Sequence, residues 1–118
     1  MVATNVGVSE LIEWLRGASA TAPTHIACGS DDTAVLKTDT TLGTEVHREA
    51  IDSTFYGTDW VSFSIILDTT QQNSVDFYEF GLLNASTSGD MYTRATHTII
   101  SKHNSLEIEY EIIIRFQN

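Results

Sequence analysis

The segment Leu106-Glu107-Ile108-Glu109-Tyr110-Glu111-Ile112 decides the fold class, because apolar and acidic side chains alternate along it without exception. The alternation continues to Ile114 and Phe116. Residues two apart lie on the same face of a β-strand, so the pattern predicts a strand with one core face and one acidic, solvated face. Five residues are expected to point inward: Leu106, Ile108, Tyr110, Ile112 and Ile114.

Five other segments have the composition of strands and are separated by turn-forming residues. They are residues 24–28, 45–51, 61–67, 75–83 and 91–98. The clearest is 61–67, where every second residue is apolar. Strands in this number, separated by turns, together with only one convincing helix, favour a mainly β fold. We expect an antiparallel β-sandwich with one short N-terminal helix.

The predicted helix covers residues 10–16, with Ser9 as its N-cap and Gly17 immediately after it. Its apolar residues share one face: Leu11, Ile12 and Leu15. A helix of this length is marginal alone, so it has to dock on something larger. A further single helical turn is predicted at 38–43. The whole chain, 1–118, is expected to form one domain whose N-terminal arm and helix take up about residues 1–17.

The charge of the chain argues against two classes of partner. Sixteen acidic residues against six basic ones give a net charge of -10, which opposes the phosphate neutralisation on which nucleic-acid binding depends. The basic residues are also scattered along the chain. The longest apolar run is far shorter than the roughly 20 residues of a membrane helix, so membrane insertion is not expected.

Motifs that carry chemistry are absent from the sequence. It has no phosphate loop, no dinucleotide-binding glycines, no nucleophile elbow and no pair of histidines at zinc spacing. The single cysteine, Cys28, lies in a strand-like segment and is expected to be a small core residue. Asp31, Asp32 and Asp39 are candidate calcium ligands, but their spacing is more typical of a solvated turn. We therefore expect no catalytic, cofactor or metal site and no enzyme.

Four motifs occur in a fixed order: Thr24-His25-Ile26-Ala27-Cys28-Gly29, then Asp39-Thr40-Thr41-Leu42-Gly43-Thr44-Glu45 followed by Arg48, then Glu79-Phe80-Gly81-Leu82-Leu83-Asn84, then Arg94 and Lys102. Their order and spacing resemble the small β domain of tail-fibre and tail-collar proteins from tailed phages and related archaeal viruses. The resemblance covers residues 9–116 or so. Cys28 departs from it, because those domains more often have a small or branched residue at that position.

The resemblance implies a structural protein of the virion and supplies no catalytic residues. Those domains usually begin a long fibre chain, whereas this sequence ends after the domain. We therefore expect a component of the tail or baseplate, or a capsid-decorating protein, rather than a fibre shaft. The expected partners are copies of itself, as a homo-oligomer, and other virion proteins. The alternative function is a carbohydrate-recognition module that binds host surface glycans through an exposed Trp or Tyr.

Two sets of residues are candidates for particular roles. Four charged residues could form a buried polar network: Glu45, Arg48, Glu79 and Arg94. The alternative role for the same four is contact with a partner. Glu79 is expected to pair with one of the two arginines, because an acid within an apolar strand is costly to bury alone. Candidate interface residues come from the N-terminal segment and from the strand at 75–83: Val2, Val6, Val8, Trp14, Tyr78 and Phe80.

Overall fold

The computed structural model describes residues 2–117, which form eight strands and one helix. The elements are β1 (Val2–Ala3), α1 (Asn5–Leu15), β2 (His25–Gly29), β3 (Glu45–Ala50), β4 (Ser53–Tyr56), β5 (Trp60–Leu67), β6 (Asp76–Leu83), β7 (Met91–Ser101) and β8 (Ile108–Arg115). The fold is mainly β, with antiparallel sheets and one short N-terminal helix, which confirms the predicted fold class.

Two antiparallel sheets face each other across the core. One has five strands in the order β1-β7-β6-β2-β3, and the other has three in the order β4-β5-β8. The chain passes between them at the link from β3 to β4. There the backbone N–H of Ile51 donates to Thr24 in the first sheet, and that of Asp52 donates to Ser64 in the second. This switch of pairing over two residues makes the sandwich.

The alternation in β8 has the predicted outcome. Ile108, Tyr110 and Ile112 are buried, Leu106 and Ile114 are half-buried, and the three intervening glutamates are exposed. β8 pairs with β5 in a register that sets Ile112 opposite Phe63 and Tyr110 opposite Ile65. The predicted core face of this strand is therefore confirmed.

The main core lies between the two sheets and consists of nine buried residues: Ile26, Cys28, Ile65, Leu67, Phe77, Leu82, Ile108, Tyr110 and Ile112. Cys28 is fully buried in it, as predicted. The pKa of the Cys28 thiol is raised to about 12, mainly because the thiol is buried. The negative charges of nearby Glu49 and Glu45 raise it further. The thiol is therefore protonated at neutral pH and unreactive as a nucleophile.

Strand β6 is covered on both faces within this chain. A bulge between Phe77 and Glu79 turns Phe77 toward the core, while Gly81 on the outer face lies under Leu42. Leu42 belongs to the loop of residues 30–44, which lies across the outer face of the five-stranded sheet and packs with Ala27, Leu83 and Met91. The apolar residues on both faces of β6 therefore have partners without a second subunit.

Helix α1 begins earlier than the sequence predicts, and the prediction of Ser9 as its N-cap is wrong. Thr4 is the cap: its Oγ1 accepts a hydrogen bond from the N–H of Gly7 at 3.0 Å and donates to the carbonyl of Met91. Gly17 follows the helix with φ of 79°, as the predicted end requires. The second predicted helical turn, at 38–43, is also wrong, because Asp39 instead closes a turn on Leu36.

Candidate interaction surface

One end of the sandwich is open, because the inner face of the three-stranded sheet extends beyond the sheet that covers it. Along β5, Ile65 and Leu67 are fully buried, whereas Val61 and Phe63 are only half-buried. Burial therefore declines toward the end of β5 at which the helix lies. The inward-facing apolar residues continue to that end of β5, but fewer atoms of the other sheet pack against them.

β8 shows the same decline in the opposite chain direction. Ile112 is buried, Ile114 is half-buried, and Phe116 just beyond the strand is exposed. Ile114 lies opposite Val61 in the sheet register, so the two strands lose their cover at the same place. The apolar stripe of the small sheet thus ends at the molecular surface.

Helix α1 covers this open end only in part, since it docks through its first turn. Gly7 is its only buried residue, and a Cβ added there would lie 2.6 Å from the Cα of Tyr92. Close contact of the helix backbone with β7 therefore requires glycine at this position. The rest of the helix projects past β7.

The five exposed apolar side chains of α1 span an arc of about 160° at 100° per residue. In order around the helix they are Trp14, Leu11, Leu15, Val8 and Ile12. All five are exposed, Trp14 by 67% and Leu15 by 69%. The sequence correctly groups Leu11, Ile12 and Leu15 on one face, but that face does not dock on the sandwich. An apolar arc this wide normally packs against a core, whereas here the sandwich covers only a small part of it.

A groove of about 800 Å³ lies between α1 and the open end of the small sheet. Residues from the helix, from the connector at 20–23 and from the ends of β5 and β8 line it, and only Glu10 and Arg115 among them carry charge. In a chain with a net charge of -10, so weakly charged a surface is unusual. It is suited to an apolar partner.

The six predicted interface residues divide between this end and the interior. Val8 and Trp14 line the groove, whereas Val2 and Val6 do not line it and are half-buried. Phe80 packs against the main core, where its ring stacks on that of Tyr110 at 4.7 Å. Tyr78, at the bulge of β6, is half-buried. The strand at 75–83 therefore leaves no apolar face for a partner.

The predicted polar network is two separate clusters. In the buried one, Glu79 binds Arg94, which confirms the predicted pair: Arg94 Nε donates to Glu79 Oε1 at 3.0 Å. The carboxylate also accepts from three backbone N–H groups of the loop at 30–44, those of Asp31, Gly43 and Thr44. Arg94 donates in turn to Asp39 at 3.1 Å. This cluster fastens the loop to the sheet.

The second cluster lies at the surface. Arg48 makes a bidentate pair with Glu45, with a shortest distance of 2.7 Å, and donates to the carbonyls of Ala85 and Ser88. It joins β3 to the loop before β7. Glu45 and Arg48 do not reach Glu79 or Arg94, so the expectation of one four-residue network is wrong. The two pairs lie apart across the sheet, because β2 separates β3 from β6.

Two of the three candidate calcium ligands have other roles. Asp39 neutralises Arg94, and Asp31 accepts hydrogen bonds from the hydroxyl and backbone N–H of Thr33, which lower the pKa of its carboxyl. Within residues 2–117 no three His, Cys, Asp or Glu side chains are grouped to hold a metal ion. The part of the chain that the structure describes also contains no helix long and apolar enough to cross a membrane.

Sequence reasoning missed two features of these surfaces. Asp39 lies 55 residues from Arg94, and nothing local to either residue signals their pairing. The groove was missed because it depends on where α1 sits relative to β5 and β8. No protein-family model matches the sequence, and no curated protein matches it either.

Proposed function

We propose that this chain is a structural protein of a tailed-virus particle, a tail, baseplate or capsid-surface component that works by assembly rather than catalysis. The observation that carries the proposal is the apolar end of the molecule, formed by the exposed face of α1 and the groove beside it. Monomeric proteins rarely leave a contiguous apolar surface of this size to solvent. The resemblance to tail-fibre and tail-collar domains supports the virion location.

The occupant that we propose for this surface is a second copy of the same chain. Each copy has both an exposed apolar helix face and an apolar groove. Seven exposed apolar side chains lie at this end: Val8, Leu11, Ile12, Trp14, Leu15, Ile113 and Phe116. If each exposes on the order of 100 Å² of apolar surface, together they offer about 700 Å². This is close to the roughly 800 Å² of surface that each partner buries in a standard interface.

Charge at the groove favours the same occupant. Glu10 on α1 and Arg115 on β8 are the charged residues that line it, and they have opposite signs. A neighbouring copy that inserts its helix brings Glu10 toward Arg115 across the interface. Two chains of net charge -10 repel each other elsewhere on their surfaces. They therefore associate best where that charge is least, which is at this end.

Light scattering after size exclusion tests the assembly at several concentrations. We expect an oligomer for the unaltered chain and a shift toward monomer for the double variant Trp14→Ser, Leu15→Ser. The matched control is Ile99→Ser, an exposed apolar residue at the other end of β7, which should leave the oligomer intact. A monomer at all concentrations, or equal loss in both variants, contradicts self-assembly through this end.

The virion location is tested separately by mass spectrometry of purified particles of the virus or provirus that carries the gene. We expect the chain in those particles at a copy number comparable with other structural proteins. Its absence from particles contradicts the virion assignment, even if the purified chain forms an oligomer.

A further inference from the structure

The outer face of the three-stranded sheet carries a small hollow. Across that face the register sets Phe55 on β4 opposite Ser62 on β5, and Ser62 opposite Ile113 on β8. Ser62 is the small residue at the centre and is buried, while its neighbours on both sides are large. The result is a cavity of about 220 Å³ with a hydroxyl-bearing residue at its floor.

Two aromatic residues, Phe55 and Trp60, line the hollow. Trp60 lies two residues before Ser62 on β5 and therefore on the same face, and its indole packs over Gly57 in the turn after β4. A Cβ added at Gly57 would lie 2.3 Å from the indole nitrogen, so only glycine leaves room for the ring in this position. Phe55 is exposed by 61%. The face therefore offers aromatic surface to solvent.

Two charged side chains complete the lining. Glu111 and Arg115 are on the same face of β8, on either side of Ile113, at a spacing of about 13 Å along the strand. Neither forms an ion pair with any residue in the described range 2–117. In the single chain, a carboxylate acceptor and a guanidinium donor are thus both available to a ligand in the hollow.

We propose that this hollow binds one neutral sugar ring, the terminal hexose of a glycan. A pyranose has an apolar C–H face that suits Phe55 and Trp60, and hydroxyls that donate to Glu111 and accept from Arg115. The volume suits a single ring, since pockets for larger ligands have about 300–1,000 Å³. A net charge of -10 and the carboxylate of Glu111 disfavour anionic sugars.

Four of the six residues that line the hollow, Phe55, Trp60, Ser62 and Glu111, do not line the apolar groove, so the sugar site is tested at these residues separately from the proposed assembly. Ser62 and Phe55 alternate in sequence with Val61 and Tyr56, which lie on the opposite face of the sheet. Ile113 and Arg115, near the edge of the sheet, border both surfaces. The test variants are therefore taken from β4 and from Glu111, which line the hollow alone.

The chain itself supplies an internal control for a titration followed by nitrogen-15 correlation spectra. It has two tryptophans, Trp60 in the hollow and Trp14 on the helix, and each gives one indole N–H signal. The probes are the methyl glycosides of glucose, galactose, mannose and N-acetylglucosamine. With at least one of them we expect the Trp60 signal to shift saturably while the Trp14 signal stays in place. A millimolar dissociation constant is expected for a ligand of about a dozen non-hydrogen atoms.

Variants then locate the site. Phe55→Ala should weaken binding about tenfold or more, because it removes one stacking surface. Tyr56→Ala is the matched control, since Tyr56 is the adjacent residue, is exposed by 81% and lies on the other face. Glu111→Gln should also weaken binding, whereas Glu107→Gln, an exposed residue just before the same strand, should not. Amide spectra of each variant verify that it is folded.

Three outcomes overturn the proposal: no glycoside moves the Trp60 signal, both indole signals move together, or Phe55→Ala binds as tightly as Tyr56→Ala. None of them bears on the light-scattering result, so failure of the sugar site and failure of the assembly are distinguishable.

Discussion

Arg94 and Glu79 form an ion pair with Nε and Oε1 3.0 Å apart, in the layer between the five-stranded sheet and the loop at 30–44. The Glu79 side chain is fully buried, and that of Arg94 is 3% exposed. Each oxygen of the Glu79 carboxylate accepts two hydrogen bonds. Oε1 accepts from Arg94 and from the N–H of Gly43, and Oε2 accepts from the N–H groups of Asp31 and Thr44. A buried carboxylate is tolerated here because all of its acceptor positions face donors.

Glu79→Gln should therefore lower the free energy of unfolding by about 3–5 kcal/mol. The amide group replaces an acceptor with a donor that faces other N–H groups, and it leaves Arg94 with only Asp39 as a countercharge. The matched control is Glu45→Gln, because the Glu45–Arg48 pair is partly exposed and should cost about 1 kcal/mol or less. Urea denaturation measures both. Equal losses in the two variants would contradict the account of the buried cluster.

The alternation of β8 predicts opposite results at two adjacent isoleucines. Ile112→Ala removes a buried side chain from the core and should destabilise the protein by about 2–5 kcal/mol. Ile113→Ala, on the exposed face, should change stability by about 0.5 kcal/mol or less. Urea denaturation again measures the difference. A larger loss for Ile113→Ala would show that the strand register is wrong.

The N-cap of α1 can be identified by a pair of substitutions. Thr4→Ala removes the hydroxyl that accepts from Gly7 and should destabilise the helix by about 1–2 kcal/mol. Ser9→Ala lies within the helix on an exposed position and should have almost no effect. Hydrogen exchange of the α1 amides is the measurement, because this helix can open without unfolding the sandwich. Faster exchange in Ser9→Ala alone would restore Ser9 as the cap.

Glu49 makes stability depend on pH. Burial raises the pKa of its carboxyl above the ordinary 4.5, the charge of Asp52 adds to this, and His47 at 3.9 Å opposes it. The folded protein therefore binds this proton more tightly than the unfolded chain, so stability falls as the pH rises from 4.5 through the raised value. Glu49→Gln should raise the melting temperature at pH 7.

Below about pH 4 the gain from Glu49→Gln should disappear, because the carboxyl is then protonated in both states. The control is Glu107→Gln, an exposed residue just before β8, which should show no such pH-dependent gain. Thermal unfolding at a series of pH values measures both variants. A gain of equal size at low and neutral pH would mean that the charge of Glu49 is not the cause.

Several features were predictable because their physical basis is local. Period-two alternation fixes which face of β8 is buried, whatever strand it pairs with, since a shift by one residue would bury three glutamates. Cys28 lies in an apolar strand-like segment, and Gly17 suits the left-handed end of a helix; both positions follow from a few neighbouring residues. The same is true of the strands at 24–28 and 61–67.

Other features depend on distant parts of the chain. Thr4 and Ser9 are both acceptable caps by sequence, and the choice between them depends on the close fit of Gly7 against Tyr92. That Arg94 rather than Arg48 neutralises Glu79 follows from the pairing of β6 with β7.

The sequence by itself determined the antiparallel β class, the inward face of β8 and the need of Glu79 for a countercharge, because each depends on side-chain spacing or on the cost of burying one group. Only the tertiary structure decided which loop covers β6, where α1 stops covering the small sheet, and that Phe55, Trp60 and Ser62 enclose a hollow. These features depend on contacts between segments that are far apart in the chain, and the residues of each segment carry no local signal of those contacts.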